Sequence, residues 1–356
     1  MVNFQFSKRE RTTTRLDYAI PIASFIIALL VSSILLMTQG VQPVEAYRIL
    51  FLSPVADWFG IIQFANISSI LLLASLAVYV PLRANLYNVG AEGQLYIGAI
   101  FALWIGVSVD ARSVILIPLM VIGSMIAGGI YGAVPGYLRA RWGINEILVT
   151  LFSIFIAYAI NRFLVLGPLA REGGGFPASE KLPASGLLPE IGGPHIGIIF
   201  AAVALISTYI FFSKTALGYK CIIYGSNPSA AKLSGISEYR VILVIMTFGS
   251  LLAGVSGMIV LSGEIERLRL TIGPGYGLTA IAIAFLGRNG VPQLTAAGLL
   301  FSFLLVGGRF LEAQLSVPIA LIDVIQAILI IILVSGEFIK ERKLSIRLNS
   351  ASQGGN

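Results

Sequence analysis

The chain has 356 residues, of which 57% are hydrophobic and only 12% are Asp, Glu, Lys or Arg, about half the charged share of an ordinary soluble domain. Too few charges are present to cover the surface of a soluble protein of this length, and a mean hydropathy of +0.90 excludes intrinsic disorder as well. One cysteine (Cys221) excludes a disulfide scaffold, one histidine (His195) excludes a His-built metal centre or triad, and the net charge of +7 reads as the Lys/Arg bias of a polytopic membrane protein, not as nucleic-acid affinity.

Residues 1–17 form a polar tail carrying Lys8, Arg9, Arg11 and Arg15. About 20 apolar residues cross a bilayer. Candidate runs follow at 18–37, 61–80, 94–109, 113–134, 147–166, 196–212, 241–261, 277–286, 294–307 and 319–335. The first is too long for a signal-peptide core, so it is retained. Continuous runs, without period-two alternation, predict helices and exclude a barrel. The expectation is an all-α polytopic protein of about ten transmembrane helices, some short or discontinuous. With the N-terminus inside, 16 Lys and Arg fall on the cytoplasmic side and 8 outside, which places both termini in the cytoplasm. A transmembrane domain at 18–335 then includes an inward loop, 213–240, and residues 336–356 form a second cytoplasmic tail.

That loop carries punctuation. Asn227 is a good N-cap, Pro228 suits the first helical position, and Gly235 suits a left-handed stop, predicting a helix over 228–234. So short a helix is unstable alone. Ala230, Leu233 and Ile236 offer an apolar edge, either for its own membrane domain or for a cytoplasmic partner.

Between two apolar runs, 81–94 is polar. Asn85, Asn88, Glu92 and Gln94 supply hydrogen-bonding atoms, and Gly90 and Gly93 permit non-helical backbone. Such a break is tolerated near lipid only where it is buried in protein or lines a wet cavity, so these four are candidate pathway residues; a plain capped turn is the alternative. Segment 261–277 is glycine-rich and mixed in charge, suiting a re-entrant segment, a gate or a simple external turn. Asn161 and Arg162 suit the outer interface, and Asp323 and Gln326 an interhelical hydrogen bond. Gly128, Gly132 and Gly136 share one helical face, as do Gly249, Ala253 and Gly257, and both suit close packing inside the subunit. The stretch 166–194, with seven Gly and five Pro, predicts an irregular loop.

No Gly-x-x-x-x-Gly-Lys-Ser/Thr loop, His-Glu-x-x-His or Gly-x-Ser-x-Gly occurs; Gly254-Val-Ser-Gly257 only approximates the last. The chain therefore has no ATPase motif, no catalytic cluster and no metal or cofactor set of its own.

Asn85-Leu-Tyr-Asn-Val-Gly-Ala-Glu-Gly-Gln94 resembles a signature of the permease subunits of ABC importers for branched-chain amino acids, simple sugars and nucleosides, in its nucleoside-type branch. Gly143-Ile-Asn-Glu146, Thr215-Ala-Leu-Gly-Tyr219 through Gly225-Ser-Asn-Pro-Ser-Ala-Ala231, Ser234-Gly-Ile236, Gly275-Tyr-Gly-Leu-Thr-Ala-Ile and Leu286-Gly-Arg-Asn289 are similar to later stretches of that family, and the likeness covers about residues 60–335. Cys221 and Ile222 depart from it, standing where members often carry a basic residue. The resemblance implies a multi-pass permease of a prokaryotic inner membrane that moves a nucleoside-like solute inward. It implies a partner ATPase that uses ATP and docks at Gly218, Gly225, Asn227, Pro228, Ala231 and Gly235. An extracytoplasmic binding protein and a second permease chain, forming a heterodimer, complete the implied assembly. A simple sugar or riboflavin-like solute is the alternative cargo, and a stand-alone carrier or channel the alternative class.

Overall fold

The computed structural model describes residues 3–8, 16–171, 175–318 and 342–347, with isolated positions between 321 and 336. Twelve helices are named among them: α1 (Leu16–Thr38), α2 (Pro43–Ala56), α3 (Trp58–Leu82), α4 (Ala91–Ser108), α5 (Ser113–Trp142), α6 (Glu146–Leu166), α7 (Gly197–Lys214), α8 (Ala216–Ser226), α9 (Pro228–Leu233), α10 (Glu238–Val260), α11 (Tyr276–Leu286) and α12 (Val291–Leu315). Seven of these (α3 to α7, α10 and α12) are long and apolar enough to cross a membrane, and α11 is a shorter apolar helix. Residues 26–38 of α1 and all of α2 form a pair bent by 118°. Nine expected runs correspond to helices. The tenth, with Asp323 and Gln326, lies outside the described residues or at isolated positions.

α2 was not expected, because Glu45, Arg48 and Pro54 interrupt its apolar sequence. Several boundaries are set by short polar residues. Asp57 accepts the Gly60 N–H at 2.7 Å to start α3. Gly143, at φ 67°, ends α5 in the left-handed region, and Asn145 accepts the Ile147 N–H at 2.9 Å to start α6. Arg139 and Glu146 bridge this turn at 3.4 Å.

Contacts divide the chain into two units, 51–307 and 1–50 with 308–356. In the larger unit α10 is the hub, packed on α3, α4 and α5. The seams are backbone on backbone. A Cβ at Gly128 would lie 2.7 Å from Gly254 Cα, one at Gly249 2.7 Å from the Ala77 carbonyl oxygen, and one at Gly257 would collide with the Leu95 carbonyl. Both small-residue faces thus pack within the subunit. Ser256, in the near-match to a nucleophile motif, is buried in α10 and donates to the Ile70 carbonyl at 2.9 Å.

In the smaller unit the Tyr47 hydroxyl donates to the Leu29 carbonyl of α1 at 2.5 Å. Strands β1 (Asn3–Lys8) and β2 (Arg342–Arg347) pair antiparallel. This ribbon and the isolated bridges Ala170–Ser179, Ala178–Arg269 and Glu190–His195 are the only β structure among the described residues.

Candidate functional site

After Pro81 the chain leaves α3 and doubles back. Asn85 takes φ 55° at the exposed tip, and Leu86 N–H returns to the Pro81 carbonyl at 3.1 Å. The Asn88 amide then donates to the Ala77 carbonyl at 3.1 Å, so α4 begins alongside the body of α3 and not beyond its end. Asn88 and Gln94 exchange two hydrogen bonds, each 3.0 Å. Asn88 also accepts the Gly90 N–H at 3.1 Å, and Thr150 of α6 accepts the Val89 N–H at 3.2 Å. Buried amides removed from water must be paired, and this pair satisfies itself. Of the two glycines expected to allow non-helical backbone, Gly90 stands at the N-cap outside α4 and Gly93 lies within the helix; both let α6 approach, a Cβ at Gly90 lying 2.9 Å from Ser153 Oγ and one at Gly93 3.1 Å from Ile154 Cα.

Glu92 points elsewhere. It is 1% exposed and accepts the Gly277 N–H at 2.5 Å, with the Leu278 N–H and the Tyr158 hydroxyl also bonded to it. The carboxylate therefore caps the N-terminus of α11, where helical N–H groups are unpaired and negative charge is favoured. One turn along α4, Tyr96 Oη accepts the Ile272 N–H at 3.1 Å, and its ring lies 4.7 Å from that of Tyr158. At the other end of α11, Arg83 donates to the Arg288 carbonyl at 3.3 Å and lies 6.0 and 5.7 Å from the Tyr79 and Phe212 rings. Of the four candidate pathway residues, Asn88 and Gln94 are brought together, Glu92 is buried but turned to α11, and Asn85 stands apart, accepting from the Tyr87 hydroxyl at 3.4 Å. Arg83, Tyr96, Thr150 and Tyr158 were not singled out from sequence. The spacing of Glu92 and Tyr96, one turn apart on one helical face, is the signal that offered two of these contacts.

The loop 213–240 is built mainly by α8, which was not expected as a helix. Thr215 accepts the Gly218 N–H at 3.0 Å, and a Cβ at Gly218 would collide with the Phe211 carbonyl, so α7 and α8 meet at a tight elbow. Cys221 and Tyr224 are buried; burial pushes the Cys221 thiol up to about 11, and the Tyr224 hydroxyl donates to Glu238 at 2.8 Å. The short helix appears as α9: Asn227 accepts the Ala230 N–H at 3.0 Å, Pro228 opens it, and Gly235 follows at φ 74°. Of the two uses open to its apolar edge, packing on its own membrane domain is not what Ala230 and Leu233 do. Ala231 is the buried contact, whereas Ala230 is exposed and Leu233 is 91% exposed.

At the opposite end of the larger unit, the loop after α6 and segment 261–275 are knit together. Ser179 N–H donates to the Leu268 carbonyl and Leu268 N–H to Ser179 Oγ, both at 2.9 Å, and Lys181 pairs with Glu266 at 2.6 Å. Asn161 is fully buried and donates to the Arg269 carbonyl at 2.9 Å, which corrects its expected interfacial position. Segment 261–275 begins as a π-helical turn, Leu261–Ile265, passes beneath the loop and delivers α11 to Glu92, so it is not a plain external turn. Arg171, Arg267, Arg269 and Phe176 line a hollow of about 670 Å³ here. Among the described residues no carboxylate forms an ion pair with these three arginines. No group of metal-ligating side chains occurs among the described residues.

Residues 60–334 match the family described as the permease component of branched-chain amino acid transport systems. The chain belongs to that family. The permease is 36% identical to the glucose ABC transporter permease protein of Haloferax volcanii, over 97% of this chain and 94% of the relative. It is 26% identical to the guanosine ABC transporter permease protein of Bacillus subtilis, over 90% and 94%. With the nucleoside ABC transporter permease protein of Lactococcus lactis it shares 28% identity, over 87% and 89%. It is a multi-pass transport component of the ABC type, not an enzyme.

Proposed function

We propose that this permease imports a nucleoside-like solute, driven by ATP hydrolysis on a partner ATPase that docks on α9. The observation that carries the reading is α9 itself: a capped helix seated through α8 and Ala231, with Leu233 left bare, in a chain that has no phosphate loop of its own. ATP-driven closure of the partner pushes α9 and α8, and the spans exchange outward- and inward-open arrangements. Gly218, Gly225, Asn227, Pro228, Ala231 and Gly235 shape the docking loop. Asn88, Gln94 and Glu92 border the path beside α11, the mutually bonded Asn88–Gln94 pair shaping its wall beside an uncharged solute. A second permease chain completes the path, and an extracytoplasmic binding protein docks by acidic side chains over the arginine-lined hollow. The setting is the inner membrane of a prokaryote.

A simple sugar is the second reading, favoured by the 36% identity with a glucose permease. The test is uptake into vesicles holding this chain, the ATPase, the second permease and the binding protein, with labelled guanosine and labelled glucose offered separately. ATP-dependent guanosine uptake that is lost on omitting any component is the expected result. Glucose uptake alone moves the cargo to sugars. Uptake by this chain alone, driven by an ion gradient, overturns the importer reading in favour of a stand-alone carrier.

A further inference from the structure

We infer that Arg83 is the positioning residue that ties the docking loop to α11, so that displacement of α8 and α9 is passed to the short helix. This rests on the importer reading above and adds the route of transmission. Gly225 of α8 sits directly on the turn after α3: a Cβ there would lie 2.7 Å from both Ala84 Cα and the Arg83 carbonyl oxygen. The two backbones touch with no side chain between them, so neither can shift without the other.

From the same residue the guanidinium runs the other way and donates to the Arg288 carbonyl, in the turn that closes α11 and is tied to it by the Arg288 N–H on the Phe285 carbonyl. Its direction is fixed by Tyr79 of α3 and Phe212 of α7, whose rings it lies against. Its Nε is buried without a hydrogen-bond partner among the described residues; packing holds this group in place and its donors are not saturated. A planar fork held against rings keeps one direction, which a flexible ammonium does not. The far end of α11 is held by Glu92. A push on α9 thus reaches α11 through Gly225, the 83–84 turn and Arg83, and turns it against the Glu92 cap.

The experiment uses the full assembly in proteoliposomes and reads solute imported per ATP hydrolysed, with labelled guanosine and labelled glucose as probes. Arg83→Leu is expected to lower this ratio roughly tenfold, the scale of one hydrogen bond to a charged group, and Arg83→Lys to restore part of it. An unchanged ratio in Arg83→Leu overturns the inference. A second measurement leaves Arg83 intact. In a Cys221→Ser chain, spin labels at Ser226→Cys and Asn289→Cys should keep one separation with and without ATP, while the separation from Ser226→Cys to Trp142→Cys changes. If the first separation changes as much as the second, the inference falls. Absence of ATP-driven uptake of either probe by the wild-type assembly overturns the importer reading and this inference with it.

Discussion

Arg83 and Glu92, the two charged residues of one short segment, hold opposite ends of α11: the guanidinium meets the Arg288 carbonyl at 3.3 Å and the carboxylate meets the Gly277 N–H at 2.5 Å. The carboxylate matches the positive amide end of the helix dipole, and the guanidinium holds the turn that follows the carbonyl end, two residues past Leu286. A helix too short to cross a bilayer is thereby fixed at both termini by a single polar break in the chain.

The Glu92 cap leads to the first prediction. Glu92→Leu leaves the Gly277 and Leu278 N–H groups without a partner inside the bundle and should cost about 1–3 kcal/mol. Glu92→Gln, which keeps one acceptor oxygen, should cost less. Thermal unfolding in detergent reads the difference, and equal melting temperatures for the two variants would contradict the capping role.

Docking can be separated from folding at α9. Leu233 is exposed and touches little of its own chain, so Leu233→Asp should leave the melting temperature within about a degree and weaken co-purification of the ATPase by roughly tenfold or more. Asn227→Ala removes the cap and should cost about 1 kcal/mol, loosening α9. Retained ATPase binding in Leu233→Asp would remove α9 from the interface.

Acid should loosen the packing around His195. Its Nδ1 accepts the Gly197 N–H at 3.1 Å, which places the proton on Nε2, and its backbone N–H donates to Asn66 Oδ1 at 3.0 Å. Burial lowers its pKa, outweighing the nearby Glu264 carboxylate. A histidine kept neutral in the fold contributes stability that is present above its unfolded pKa of about 6.5 and lost as pH falls below it. The melting temperature should therefore drop between pH 7.5 and about 5. His195→Asn, which keeps an acceptor near Nδ1, should flatten that drop.

Cys221 should resist iodoacetamide at pH 8 in the folded protein, because burial holds the thiol protonated up to about pH 11. Unfolding should expose it to complete alkylation. Rapid labelling of the folded chain would show that α8 is not seated as described.

Much of the architecture was legible because apolar runs and capping residues act locally. Asn227, Pro228 and Gly235 announced α9, and the glycine faces announced close helix packing. The destination of a polar side chain is a tertiary fact and was not legible: nothing local says that Asn88 pairs with Gln94 while Glu92 reaches Gly277, far along the chain. α8 was hidden because its sequence has no polar start beyond Thr215 and is mixed in hydropathy. α2 was hidden by its charges and Pro54. Leu233 was left open between its own membrane domain and a partner; its exposure goes against the first, and the smaller Ala231 makes the contact with the chain.

The glycine seams around α10 also bear on how the chain is made. α3, α4 and α5 leave the ribosome long before residues 238–260 exist, and until then the backbone grooves at Ala77, Leu95 and Gly128 have no helix to fill them. Their closest backbone contacts therefore wait for α10 to arrive. Nascent chains halted before α10 would therefore be substrates for membrane quality control, while chains halted just after it would already hold their central block.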